Sequence, residues 1–405
     1  MRILVISHAA GTPQIGPNMR TFYLARKLVA AGYKVNIVGS GVFHKYRSSP
    51  LPNIGEDAEK VVDGINYRWL ATRPYEKRGV PQVLNQLSFA YKLWSIRKKL
   101  VQLNPSFVIM SSPPPLGIYA ASYIAHKSGA KLIFEIRDLW PEIIEELGGF
   151  GPNHPYIKMV KHSVKFAYKR AKGIVSVKPG DLSFIENKYK SKAHLEYIPN
   201  GFDHTGVLDK PYEHPILKEK GFKLVYTGAL SNYYAIGSLL GAAKFLKTTH
   251  SNLIVLIAGD GEDREQYEAY KNEHKLDNVY FLGFLPKENM LSLIRQCDAA
   301  FLGLKDTKAN QLGISTNKLY EYMYAKSPVI ASYNTDHDIV KESGAGLTVE
   351  PESAEAIADA IEKICAMSAE ERRVMGEKGY SYLMQHHTFD TITEKYLNLF
   401  ELLDK

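Results

Sequence analysis

Short apolar runs that stop at small residues alternate with helix-patterned segments, and the series runs through the chain twice. The first pass has strand-like runs at Arg2–Ser7, Lys34–Val38, Phe107–Met110, Lys131–Ile136, Gly173–Val177 and Leu195–Ile198. Between the first two lie a Gly/Pro-rich loop and a segment with Phe22, Ala25, Leu28 and Val29 at helical spacing, closed by Gly32. The second pass has runs at Leu224–Tyr226, Leu253–Ala258, Val279–Leu282, Ala299–Leu302 and Val329–Ala331. Alternating strands and helices of this kind predict α/β architecture with doubly wound parallel sheets. The polar stretch Asp209–Gly221, with Pro211 and Pro215, reads as a linker, so two Rossmann-like domains are expected, 1–205 and 206–387. The helical stretch 388–405 is expected to pack back on the first. In such sheets ligands bind at the carboxyl ends of strands, and two domains facing each other would put their loops on a common cleft.

Charge divides the same way. Residues 1–200 hold 29 Lys+Arg against 13 Asp+Glu, a net of +16, and residues 201–405 hold 22 against 30, a net of −8. A basic surface attracts anionic lipid, nucleic acid or phosphorylated substrates. Two segments concentrate the effect. Lys158, Lys161, Lys165, Lys169 and Lys172 line one helical stripe beside an apolar stripe of Ile157, Val160, Val164, Ala167 and Ala171. A second segment mixes Phe89, Tyr91 and Trp94 with Lys92, Arg97, Lys98 and Lys99. Both patterns fit helices lying on an anionic membrane surface, and both also fit ordinary amphipathic helices with solvated lysines. No nucleic-acid signature accompanies the basic half, and the acidic half argues against that partner. No run approaches the ~20 apolar residues of a membrane span. Cys297 and Cys365 are too few for a disulfide framework, and Ile3–Ile6 is too short for a signal-peptide core. A cytoplasmic protein at the inner face of the membrane is expected.

The candidate binding residues sit in loops. Gly16 and Gly228 follow the first strand of each half, where glycine lets backbone N–H groups approach a phosphate. Gly259-Asp260-Gly261 is a lone G-x-G, better read as a tight strand-to-helix turn than as a dinucleotide motif. Asp336-His337-Asp338 looks like a metal-binding D-x-D but reads better as a helix-capping loop, and the 13 histidines show no metal-ligand spacing. The densest cluster is Gly313-Ile314-Ser315-Thr316-Asn317-Lys318-Leu319-Tyr320-Glu321-Tyr322-Met323, with Pro328 and a strand after it. Lys318 and Glu321 share a helix face. A lysine at a helix N-terminus is disfavoured unless something anionic sits there, and a phosphate would satisfy both. A surface ion pair is the plainer alternative.

This loop–helix–Pro–strand block resembles the donor-binding block of the family 4 retaining glycosyltransferases, which have the GT-B fold. Tyr197-Ile198-Pro199-Asn200-Gly201-Phe202-Asp203 resembles that family's crossing between domains. Leu224-Val225-Tyr226-Thr227-Gly228-Ala229-Leu230 matches its second-domain strand and glycine loop. Gly16 with Arg20 and Gly32-Tyr33-Lys34-Val35 match its opening unit. Arg137-Asp138-Leu139-Trp140-Pro141 resembles a bacterial branch that includes fucosamine transferases of surface-polysaccharide (O-antigen or capsule) assembly.

The resemblance implies metal-independent transfer of a sugar from a nucleotide-sugar donor, with retention, to a lipid-linked saccharide. By branch, the donor is expected to be a UDP-sugar carrying an N-acetylated hexosamine. The implied donor-binding residues are Gly16, Gly228, Asn317, Lys318, Glu321 and Lys305. Lys318, Arg20 and Asp138 are the implied catalytic set, with Lys318 and Arg20 neutralising the leaving diphosphate and Asp138 serving as base or acceptor guide. Asp138 also reads as a partner of Arg137 or a helix cap. Lys158, Lys161, Lys165, Lys169 and Trp94 are the membrane-docking candidates. The chain departs from the family at several points, and Arg137 or Asp138 falls where a first-domain histidine is often found. Gly313 stands where a first glutamate is usual, and Ala229 and Tyr234 stand where an arginine and a lysine are usual. Two other readings stay open on this fold: a nucleotide-sugar 2-epimerase and a non-catalytic membrane-docked scaffold.

Overall fold

The computed structural model describes residues 1–15, 19–42, 56–75, 79–147, 150–250 and 252–405. The chain divides into two compact units, residues 1–200 with 389–405 and residues 201–388. The return helix Phe389–Asp404 contributes two bases and four acids with its last residue, so the first unit carries a net +14 and the second −6.

The first unit is built on strands β1 (Arg2–Ser7), β2 (Lys34–Ser40), β3 (Ala58–Val62), β4 (Ile65–Leu70), β5 (Phe107–Ser112), β6 (Lys131–Ile136), β7 (Gly173–Ser176) and β8 (His194–Tyr197). Their order is β3-β4-β2-β1-β5-β6-β7-β8. All pair in parallel except β3, an antiparallel edge strand turned at Asp63-Gly64, both at positive φ. The central strands are buried on both faces, as a parallel sheet covered by helices requires. Ile3, Val5, Ile37, Phe107 and Ile109 meet Phe389, Ile392, Tyr396 and Phe400 of the return helix in one core cluster.

The second unit has strands β9 (Phe222–Thr227), β10 (Leu253–Ala258), β11 (Val279–Gly283), β12 (Ala299–Gly303), β13 (Val329–Ser332) and β14 (Gly346–Val349). They form a wholly parallel sheet ordered β11-β10-β9-β12-β13-β14. The order reverses between β9 and β12, so the topological switch point lies at the carboxyl ends of those two strands.

The basic helix Pro155–Arg170 buries its entire apolar stripe, Ile157, Val160, Val164 and Ala167, in its own unit. It therefore offers a bilayer cations and no apolar face. Lys158, Lys165 and Lys169 are exposed, while Lys161 pairs with Glu145 at 2.5 Å. The helix Val80–Gln102 buries Phe89 and Leu93 and leaves Tyr91 and Trp94 exposed. Arg97 stacks on the Trp94 ring at 4.1 Å. No helix among the described residues is long and apolar enough to cross a membrane.

Candidate functional site

Gly228 ends β9 at the switch point with φ of 125°, a conformation that L side chains rarely adopt. Space is as decisive as conformation. A Cβ there would lie 2.2 Å from Cε and 2.7 Å from Nζ of Lys318. The G-x-G turn after β10 is the wall behind this loop. A Cβ on Gly259 would lie 1.7 Å from the Gly228 carbonyl oxygen, Gly228 N donates to Ala258 O (2.8 Å), and Leu230 N donates to Asp260 O (3.0 Å). Its glycines serve close backbone packing, as the tight-turn reading expects.

Lys318 reaches Gly228 from the second position of the helix Asn317–Tyr324. Leu319, Tyr320, Tyr322 and Met323 bury one side of that helix, and Lys318 and Glu321 lie on the other. The Tyr322 hydroxyl accepts from Thr227 N at 3.0 Å, which pins the helix to the carboxyl end of β9. Thr316 precedes the helix in extended conformation and makes no side-chain cap, so its start keeps the partial positive charge of uncapped amides. The Lys318 ammonium donates to the Tyr226 hydroxyl at 2.6 Å, lies 3.1 Å from the Tyr234 ring centroid and 4.4 Å from that of Tyr226. Burial holds its pKa well below the usual lysine value, with Glu321 opposing only in part.

Glu321 lies one turn on. Burial raises its pKa, and Lys287 and Lys318 oppose the rise. Lys287 approaches Glu321 at 3.9 Å from the first position of the helix Lys287–Arg295, which follows β11. Lys305 follows β12 on the other side of the switch point, half-buried; its backbone N–H donates to Tyr233 O and its carbonyl accepts from Asn310 Nδ2. Asn317 is exposed. The structure thus gathers Gly228, Lys318, Glu321 and Lys305 around the carboxyl ends of β9 and β12. It adds Tyr226, Tyr234 and Lys287, which sequence reasoning did not assign. Tyr226 and Tyr234 flank the glycine loop closely enough for the loop to have flagged them, whereas nothing in the sequence marks Lys287.

The first-unit candidates are dispersed. Gly16 lies outside the described residues. The Arg20 guanidinium is occupied by protein groups. Nε donates to Glu135 Oε2 at 2.9 Å, NH2 to Ile198 O at 3.1 Å, and NH1 to Pro199 O and Asn200 Oδ1. Glu135 also accepts from Ser111 Oγ at 2.6 Å and from the Tyr396 hydroxyl of the return helix. Burial works against both charges, but their mutual attraction and these hydrogen bonds override it. Arg20 is held above its ordinary pKa and Glu135 below. In this arrangement Arg20 ties the crossing segment 198–200 to Glu135, which the return helix also contacts through Tyr396, where the sequence reading expects it at the diphosphate.

Asp138 follows β6, half-buried, beside Arg137, whose pKa burial lowers against the pull of Asp138 and Glu135. Near it stands Asp181, on the helix Pro179–Tyr189. Its Oδ2 accepts from Ser176 Oγ at 2.6 Å, its buried Oδ1 has no hydrogen-bond partner, and burial pushes its pKa up to about 6. In the second unit, Asp338 caps the helix Ile339–Ser343 by accepting from Val340 N and Lys341 N, both at 3.1 Å, as the capping reading of the D-x-D expects.

Residues 16–201 match the "Glycosyl transferase 4-like domain" family, and residues 212–382 match "Glycosyl transferases group 1". Both halves of the chain thus match glycosyltransferase family models, in support of a family 4-like GT-B glycosyltransferase. It is 21% identical over 243 residues to an uncharacterized glycosyltransferase of Methanocaldococcus jannaschii, a match spanning 59% of this chain and 60% of that protein. Its fold is that of the sucrose-phosphate synthase of Thermosynechococcus elongatus (TM-score 0.74, 16% identity, 99% of this chain and 98% of the other). It is also that of HepE from Anabaena, solved with UDP-glucose (TM-score 0.66, 14% identity, 99% of each chain). Two Rossmann-like domains are the shared architecture.

Proposed function

We propose that this glycosyltransferase moves a sugar from a nucleoside-diphosphate donor, with retention, to a lipid-linked saccharide in surface-polysaccharide assembly. The observation that carries the reading is the half-buried Lys318 ammonium, poised over Gly228 at the switch point beside an uncapped helix start. That combination is built for a diphosphate. The leaving group of sugar transfer is a nucleoside diphosphate, so the charge that develops on it must be neutralised. Lys318 supplies a cation, Lys305 a second, and the Gly228 loop and helix start supply backbone donors, so the reading requires no metal. Glu321, one turn deeper, suits hydrogen bonds from a diol of the donor. UDP is the favoured nucleotide, in keeping with UDP-glucose in the Anabaena protein of like fold.

In the first unit, Asp138 with Arg137 is assigned to the acceptor. The net +14 of that unit and the exposed Lys158, Lys165 and Lys169 favour a lipid-linked acceptor at an anionic cytoplasmic membrane face, with the exposed Trp94 of the helix Val80–Gln102 as an amphipathic contact. An N-acetylated hexosamine as the donor sugar and retention at the anomeric carbon rest on the family resemblance.

Saturation-transfer NMR with UDP-, GDP-, ADP- and dTDP-sugars tests the donor reading. Selective saturation of one nucleotide's base and ribose is the expected result. No binding by any of them, in folded protein, would contradict it.

A further inference from the structure

The cation over Gly228 is held in an unusual way for an enzyme lysine. No carboxylate touches its ammonium among the described residues. Its near neighbours are the Tyr226 hydroxyl at 2.6 Å and the face of Tyr234, 3.1 Å to the centroid. Aromatic faces attract ammonium groups through the ring quadrupole, and more strongly where water is excluded. The two rings come from different elements, Tyr226 from β9 and Tyr234 from the turn Asn232–Tyr234 that follows the glycine loop. Each is locked independently of Lys318. The Tyr226 hydroxyl donates to Ala229 O at 2.6 Å, which leaves its lone pairs to accept from the lysine. Tyr234 N donates to Ser231 O at 2.9 Å, and its carbonyl lies against Gly303 at the end of β12.

We propose that Tyr234 and Tyr226 are positioning residues for the donor site: they form an aromatic seat that holds the Lys318 ammonium over Gly228 and presents it to the donor diphosphate. This inference rests on the donor reading above. A free lysine side chain samples many rotamers, and ordering one on binding weakens affinity. The seat orders Lys318 beforehand. It also keeps the cation unpaired, so the diphosphate meets a charge that no protein carboxylate has already neutralised. The groups facing the ammonium are Tyr226 from β9, Tyr234 from the turn and Glu321 from its own helix, with Lys287 reaching Glu321 from the helix after β11. Burial lowers the lysine pKa and a bound diphosphate raises it again, so donor binding takes up a proton. Affinity then falls as pH rises past the lowered pKa of the free protein.

The experiment is calorimetric titration of the full chain with UDP, across a pH series, for the wild type and five variants. Lys318→Ala is expected to weaken UDP binding at least tenfold and to abolish the pH-dependent fall. Tyr234→Leu removes the ring face; it is expected to weaken binding about tenfold and to move the onset of the fall to lower pH, because the ammonium loses one of its attractive neighbours. Tyr234→Phe keeps the ring and is expected to bind as the wild type does, within about twofold. Tyr226→Phe, a loss of one hydroxyl, is expected to weaken binding about threefold and serves as the test if Tyr234→Leu does not fold. The double variant Lys318→Ala/Tyr234→Lys, which places an ammonium near the same spot from the other side, is expected to recover part of the lost affinity. Unchanged affinity and pH onset in Tyr234→Leu and Tyr226→Phe, with binding lost in Lys318→Ala, would overturn the seat and leave the donor reading standing. Wild-type affinity in Lys318→Ala would overturn both.

Discussion

Each unit of this chain holds a cation beside a carboxylate, fully buried in the first and half-buried in the second, and the two pairs differ in what they leave unsatisfied. Arg20 and Glu135 are 2.9 Å apart and closed on themselves, with Ile198, Pro199, Asn200, Ser111 and Tyr396 taking up the remaining hydrogen-bonding capacity. Lys318 and Glu321 share a helix face without a direct ion pair, and each is displaced toward its neutral form by burial. The closed pair stabilises charge and so stabilises the fold. The open pair stores an unmet demand for a charged partner, which is what a binding site for an anion provides. The same kind of charge pair is therefore closed by protein groups in one place and left open in the other, and the hydrogen-bond inventory distinguishes them.

Breaking the closed pair has the largest expected effect. Glu135→Ala strands a buried guanidinium and is expected to cost about 3–5 kcal/mol in urea unfolding. A loss within about 1 kcal/mol would mean that Arg20 is less committed than its contacts imply. At the open pair the sign reverses. A lysine whose folded pKa is depressed destabilises the fold at pH values below its unfolded pKa, and the penalty fades as pH rises toward that value. Lys318→Met is therefore expected to raise the melting temperature, most at acid pH, while removing UDP binding. A drop in melting temperature would place Lys318 among the structural cations.

Asp181 sharpens the comparison within the first unit. Its folded pKa of about 6 lies above the unfolded value of 3.8, so its ionisation destabilises the fold above pH 6, and the penalty vanishes as pH falls toward 4. Asp181→Asn is expected to stabilise the protein by about 2 kcal/mol at neutral pH and by nothing at pH 4, read from unfolding curves at the two pH values. An equal shift at both would assign the effect to packing. The surface lysines carry the smallest effect on the protein itself. Lys158, Lys165 and Lys169 changed to Glu should leave the melting temperature in place and abolish sedimentation with anionic vesicles, at about 1 kcal/mol per charge. Vesicle binding equal to wild type would remove the docking assignment.

The sheets were legible because buried parallel strands are nearly continuous apolar runs. Arg2–Ser7, Lys131–Ile136 and Leu253–Ala258 are strands over those same residues. What escaped is the hairpin β3–β4, of which β4 is an inner strand with Ile65, Tyr67 and Trp69 buried, and the edge strand β14. Strand β3 reads Ala-Glu-Lys-Val-Val and is mostly exposed, so it carries no core pattern, although Asp63-Gly64 is a hairpin turn signal. Strand β14, Gly346–Val349, is half-buried and four residues long. At the site, Lys318, Glu321 and Gly228 were readable because a lysine at a helix start and a glycine after a buried strand are locally anomalous. The contacts of Arg20 were not readable for a physical reason: its partners, Glu135, residues 198–200 and Tyr396, are more than a hundred residues away, and sequence spacing says nothing of such contacts. The contact of Lys318 with Tyr226 escaped for the same reason, since the two are separated by 92 residues, although the glycine loop beside Tyr226 could have flagged the tyrosine itself.

The most direct test of the central claim, that the open pair is the donor site, is the thermal stabilisation produced by saturating UDP in the wild type and in Lys318→Met. Ligand binding to the folded state raises stability by an amount fixed by the ratio of ligand to Kd, about 2.7 kcal/mol at a hundredfold excess. The account predicts a rise of several degrees in the wild type and none in Lys318→Met, with both proteins folded. Equal stabilisation of the two would contradict it.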